Sequence, residues 1–194
     1  MHQSTGFLFW KGNNMAKLAR KAIRHFLDGA WGKGEAEWYW LGKDNDDLSV
    51  ELNPDTEVTK NVQGETSVKD NGYEPSMEND PFYANPDDSI YPHLRDIALG
   101  RLVGDDCKTK ILEVIVEDDA ATNHLAYTEN VVVKPTSYGG DTSGAQIPFT
   151  ISFDGGRTKG YVSLTGKTPS FTKGEIPSTQ SLFSGKSRNE DKAL

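Results

Sequence analysis

Hydrophobic positions recur mostly every second residue along this chain, and in one segment every third or fourth. Leu48, Val50 and Leu52 share one side of an extended backbone, with Asp47, Ser49, Glu51 and Asn53 on the other. That is the period of a half-buried strand. Asn53-Pro54-Asp55 interrupts the run with turn residues. A second alternation sets Val58, Val62, Thr66 and Val68 against Glu57, Asn61, Gln63, Glu65 and Lys69, and Asn71-Gly72 closes it with a hairpin-type dipeptide. Leu48 to Met77 therefore predicts two or three antiparallel strands, with Pro54 to Gly72 as a projecting hairpin.

Elsewhere the pattern predicts one helix and more strands. Ile90, Leu94, Ile97, Ala98 and Leu102 recur at helical spacing after Asp87-Asp88-Ser89, with Pro92 in the first turn and Gly104 as a stop. Glu37–Leu41, Lys110–Glu117, Leu125–Val133 and Ile147–Phe153 read as strands. Asp154-Gly155-Gly156 predicts a hairpin turn from the last of these into Lys159–Thr165. Met15–Leu27 is basic and helix-capable, with a narrow apolar stripe of Leu18, Ala22, Ile23 and Phe26. Gly29, Gly32 and Gly34 form a joint after it. From Gly166 the apolar pattern is lost, which predicts a tail that orders only when something outside the domain holds it. The expected architecture is mainly β: a β-sandwich or open barrel with one packed helix, a long hairpin excursion and extended arms. Residues 1–34 form an N-terminal extension and basic arm, 35–165 the β domain, and 166–194 the flexible tail.

Composition narrows the reading. With 194 residues, 35% of them hydrophobic, and a mean hydropathy of −0.62, the core is modest and loops are many. No run approaches the roughly 20 apolar residues of a membrane-spanning helix, so no membrane partner is expected. Gly6–Trp10 is too short for a signal-peptide core, and Met15 reads as a plausible original start after an upstream extension. A lone Cys107 excludes an internal disulfide. The net charge of −8 is unevenly spread: residues 35–106 hold eighteen acidic side chains against five basic, whereas residues 1–34 hold six basic against one acidic. An acidic middle argues against gripping a nucleic-acid backbone, which takes basic contacts. It is compatible with a surface that nucleic acid slides past.

The search for chemistry returns little. His2, His25, His93 and His124 lack metal-ligand spacing. Gly42–Asp47 begins like a calcium loop, but Leu48 replaces an oxygen ligand and no glycine stands at the sixth position. The Gly-rich run Tyr138–Gly144 lies between strands and opens no helix, as a phosphate cradle must. Asp105-Asp106 and Asp118-Asp119 sit at element ends, where solvation explains them. No nucleophile elbow is present. No catalytic residue, cofactor or metal site is predicted, and the chain is read as no enzyme. Trp38, Tyr39 and Trp40 support one competing reading, a carbohydrate-binding β-sandwich module that stacks sugars on aromatic rings.

Several motifs in order carry a resemblance over residues 15–165. They are Trp38-Tyr39 with Leu41-Gly42, Glu51-Leu52-Asn53-Pro54, Gly64-Glu65-Thr66-Ser67-Val68, Gly72-Tyr73-Glu74-Pro75, and Asp88–Arg101. Together they resemble the major tail tube proteins of tailed bacteriophages that infect Gram-positive bacteria. The resemblance implies a β-sandwich with a flanking helix that forms hexameric rings. The rings stack into the tube of a long non-contractile tail, within the virion, after assembly in the host cytoplasm. DNA passes through the lumen without specific binding, and the tail terminator, tape measure and distal tail proteins are the implied neighbours. On this reading Val58, Val62, Gly64, Thr66, Val68 and Tyr73 contact adjacent subunits or rings. Glu51, Glu57 and Glu65 line the lumen, and Lys17, Arg20, Lys21 and Arg24 form an arm that meets a neighbour's acidic surface.

Overall fold

The computed structural model describes residues 17–164 and 168–177. Its strands are β1 (Ile23–Asp28), β2 (Trp38–Trp40), β3 (Val50–Glu51), β4 (Pro54–Lys60), β5 (Thr66–Tyr73) and β6 (Ser76–Asn79). Helix α1 (Tyr91–Gly100) follows. Then come β7 (Lys108–Ile115), β8 (Asn123–Pro135), β9 (Gly139–Asp141), β10 (Gly144–Gln146), β11 (Phe149–Phe153), β12 (Thr158–Ser163) and β13 (Ser170–Lys173). One antiparallel sheet runs β2-β1-β7-β8-β11-β6-β3, with β12 and β13 branching from β8. It curls into a half-barrel, so the expected mainly β, open-barrel class with one helix is the class observed.

β8 is the spine of this sheet. At thirteen residues it is long enough to pair with β7 over Leu125–Val132 on one side, and with two strands end to end on the other. Its second half pairs β11 and its first half pairs β12. This corrects the expected β11–β12 hairpin. Gly155 and Gly156 adopt φ of 79° and 73°, but they bulge the chain outward without reversing it. β12 then continues beside β8 in the direction of β11.

Side chains alternate across the sheet, and each face has its own core. Leu27, Ile111, Val131, Val133, Phe149 and Ile151 point to one face, where Ile90, Leu94 and Ile97 of the α1 region cover them. The helix appears where its apolar period places it. Pro92 is accommodated in its first turn, and Arg101 closes it in the left-handed region at φ 51°. The opposite face buries Phe26, Leu112, Val114, Ala126 and Val162, with Trp38, Leu164 and Phe171 packed against them.

Two expectations at the chain ends are corrected. The described part of Met15–Leu27, residues 17–27, is no basic helix: a short 3-10 turn, Arg20–Ala22, leads into β1, which is hydrogen-bonded on both sides, to β2 and β7. Burial of His25, Phe26, Leu27 and Asp28 in succession suits a strand between two others, and this tertiary gain overrides the helical propensity of Ala, Lys and Arg. The expected tail likewise begins too early. β13 pairs with β12, and the Phe171 ring packs so closely over Gly160 that a Cβ there would lie 2.6 Å from it. Residues 166–167 and 178–194 of that tail, and residues 1–16, lie outside the described residues.

Candidate functional site

Among the described residues, the β4–β5 ribbon contributes no side chain to either core cluster. Asn53, left-handed at φ 43°, turns the chain out of the sheet. Its side-chain amide donates to the Glu74 carbonyl and to Ser76 Oγ, both at 3.1 Å, which clamps the ribbon at its base. The strands then pair from Pro54↔Tyr73 to Lys60↔Thr66, a span of about 23 Å at the usual rise. Every residue of β4 is exposed, and so is every residue of β5 except Gly72.

The turn falls at Asn61–Glu65 and not at Asn71-Gly72. Asn61 Oδ1 accepts from the Gln63 and Glu65 amides at 3.0 and 2.9 Å, and the Gly64 amide donates to the Asn61 carbonyl at 3.0 Å. Gly64 takes φ 82°, which a glycine adopts at no steric cost. Asn71-Gly72 instead forms a bulge: the register slips between Asp55 and Thr56, leaving Asn71 unpaired. The hairpin dipeptide was a true signal of positive φ, attached to a different irregularity.

The predicted contact residues are brought together on this ribbon. Val58 and Val68 are direct cross-strand partners, 60% and 64% exposed. Val62 stands at the tip, 106% exposed. Thr66 faces Lys60 at the tip end, and Tyr73, also exposed, marks the base opposite Pro54. A ribbon with apolar side chains and no cover has the character of an interaction surface, and two strands alone have little stability in water.

The predicted acidic residues do not converge. Glu57 lies opposite Lys69 on the ribbon, and Glu65 accepts from Asn61 Nδ2 at 2.7 Å at the tip. Glu51, at the sheet edge, instead joins Asp47, Glu78 and Asp80 around a groove of about 450 Å³ across β3, β6 and β11. Sequence reading did not place Glu78 and Asp80 on a strand, because Pro75, Pro81 and Pro86 admit either edge-strand or loop geometry there. The alternation Ser76-Met77-Glu78-Asn79, with Met77 and Asn79 buried, was the available signal.

The basic residues cluster beside β2. Arg20 donates to the carbonyls of Ile23 and Leu48, and Arg24 donates to the Lys21 carbonyl at 3.2 Å. The Arg24 guanidinium lies 5.6 Å over the Trp40 ring. Lys17 and Lys21 are exposed. Trp38 and Trp40 share one sheet face, while Tyr39 points to the other and donates to Asp88 Oδ2 at 3.0 Å. The three rings therefore form no common platform. Burial, reinforced by Asp88, holds the Tyr39 hydroxyl well above its usual range.

Beyond the apolar core, on the helix side of the sheet, lies a charged cluster. Arg157, delivered by the Gly155-Gly156 bulge, sits 2.5 Å from Glu113 Oε2 and 2.9 Å from Glu129 Oε2, over the Tyr127 ring at 4.5 Å. His25 Nε2 is 3.5 Å from Glu113 Oε1. Burial works to raise the Glu113 carboxyl, but the His25 hydrogen bond and the Arg157 charge outweigh it and hold it below the ordinary value. The cluster ties β1, β7, β8 and β12 together. No group of three or more His, Cys, Asp or Glu side chains among the described residues is placed to hold a metal ion.

No family model matches the chain, and no curated protein matches it.

Proposed function

We propose that the chain is a self-assembling structural subunit of a bacteriophage tail tube, with rings of copies stacked around a conduit for DNA. The observation that carries this reading is the β4–β5 ribbon, which projects from the core and exposes Val58, Val62 and Val68 outside both core clusters of the described residues. The open edges of the half-barrel, β2 at one end and β3 at the other, add to it. An uncapped edge is a hazard in a monomer and a joint in a ring, where a neighbour's strand completes the ladder. The groove of Asp47, Glu51, Glu78 and Asp80 suits a wall that repels phosphate, and the motif order of residues 15–165 agrees with this role.

Negative-stain microscopy of concentrated protein tests the reading. The expected result is rings or tubes about 100 Å wide, the scale of a ring of domains of this size. A strictly monomeric protein at high concentration, unresponsive to seeding, would refute it.

A further inference from the structure

Asn71-Gly72 is the one Asn-Gly pair in the chain, and the fold leaves it open to chemistry. The bulge at the base of the ribbon deprives Asn71 of a cross-strand partner, and the residue is exposed. The other two asparagines of this region are held. Asn53 Nδ2 donates to the Glu74 carbonyl and to Ser76 Oγ, and Asn61 Nδ2 donates to Glu65 Oε2. They are followed by Pro54 and Val62, the first without an N–H and the second with a branched side chain beside its amide. Asn71 is followed by a glycine, whose nitrogen no side chain crowds.

The Gly72 amide also has a base in place. It donates to Asp70 Oδ1 at 2.9 Å, so a carboxylate lies within reach of the proton that must leave. Gly72 sits at φ 101°, and a Cβ built on it would meet nothing within 4 Å, so the space around the pair is open. As Asp70 takes the amide proton, the Gly72 nitrogen bonds to Asn71 Cγ and the Cγ–Nδ2 bond breaks. The side-chain nitrogen leaves as ammonia with that proton, and a cyclic imide remains. Water then opens the imide at either carbonyl. Breaking the new N–Cγ bond leaves an aspartate. Breaking the bond from the Gly72 nitrogen to the backbone carbonyl leaves an isoaspartate, with the chain running through the former side chain.

We propose that Asn71 is a self-modification site, converted to aspartate and isoaspartate by the Gly72 amide with Asp70 as the positioned base. The bulge makes the change tolerable, because the isoaspartyl form adds its backbone methylene at a residue the ladder leaves unpaired. Either product adds a carboxylate to a ribbon that has four against two lysines from Pro54 to Tyr73, so the ribbon turns more acidic with age. The Asn53 clamp and the Asn61 turn take no part in the reaction. None of this chemistry requires a second copy of the chain.

Ageing of the full chain at mildly alkaline pH tests it, read by site-resolved peptide mass spectrometry and by methyl labelling with a protein-isoaspartyl methyltransferase. The expected result is a time-dependent exchange of amide for carboxylate mass at Asn71, with methyl incorporation, ahead of every other asparagine. Asp70→Asn keeps an oxygen acceptor for the Gly72 amide but removes the base, and is expected to slow the conversion at least about 10-fold. Its rate should also depend more steeply on pH than that of wild type, because hydroxide must then take the proton. Gly72→Ala slows the conversion too, but is strained at positive φ, so Asp70→Asn is the deciding variant. An Asn71 that keeps its amide in the wild-type protein overturns the proposal. So does an unchanged rate or an unchanged pH dependence in Asp70→Asn, or faster conversion in the urea-unfolded chain than in the native one.

Discussion

Val62→Asp separates assembly from folding. Val62 belongs to neither core cluster of the described residues and is 106% exposed at the ribbon tip. Asn61 fixes the turn through its own side chain and backbone, so the tip does not depend on Val62 for its shape. A substitution at such a site changes folding stability by no more than about 0.5 kcal/mol. Burying a valine in an interface contributes about 1.5–3 kcal/mol, equivalent to roughly 10- to 150-fold in an association constant, and an aspartate at the same place adds a desolvation cost. The variant should therefore melt like wild type by circular dichroism while its critical concentration, measured by sedimentation of polymer, rises at least about 10-fold. A melting temperature lowered by more than about 5 °C would place Val62 in the folded core and refute the reasoning. So would an unchanged critical concentration.

Other expected outcomes concern the protomer. Glu113 is held below its ordinary value near 4.5, so it contributes stability at neutral pH that is lost as pH falls below that value. By calorimetry, Glu113→Gln should be less stable than wild type at pH 6 and lose less on going to pH 3. Arg157→Met strands two buried carboxylates. Because the arginine is itself 46% exposed, solvent screening reduces the cost to about 1–3 kcal/mol, a fall of about 3–10 °C in a thermal melt. Gly160→Ala puts a Cβ 2.3 Å from the Thr172 carbonyl oxygen and 2.6 Å from the Phe171 ring, so β13 should detach. Faster amide exchange over Ser170–Lys173, with β7 and β8 protected as in wild type, is the expected signature.

Local periodicity was enough to define some elements. The stripe Ile90, Leu94, Ile97 specified α1, and the alternations of Leu125–Val133 and Ile147–Phe153 specified β8 and β11, because each pattern states which face an element buries. The projecting hairpin after Pro54 was legible for the same reason: its valines alternate with charged residues but have too few apolar neighbours to form a core. The basic segment before Asp28 was not legible. Its composition fits a helix, and only the presence of β2 and β7 on either side makes Ile23–Asp28 a strand. Sequence also missed that β11 and β12 run end to end along β8, since Asp154-Gly155-Gly156 encodes positive φ and leaves the direction of the chain to β8. It could not assemble the acidic groove or the Arg157 cluster, whose members meet only when the sheet curls. The sequence by itself determined which residues face inward along α1, β8 and β11. The tertiary structure alone decided which elements meet, because strand pairing joins residues far apart in the chain and no local pattern records the partner.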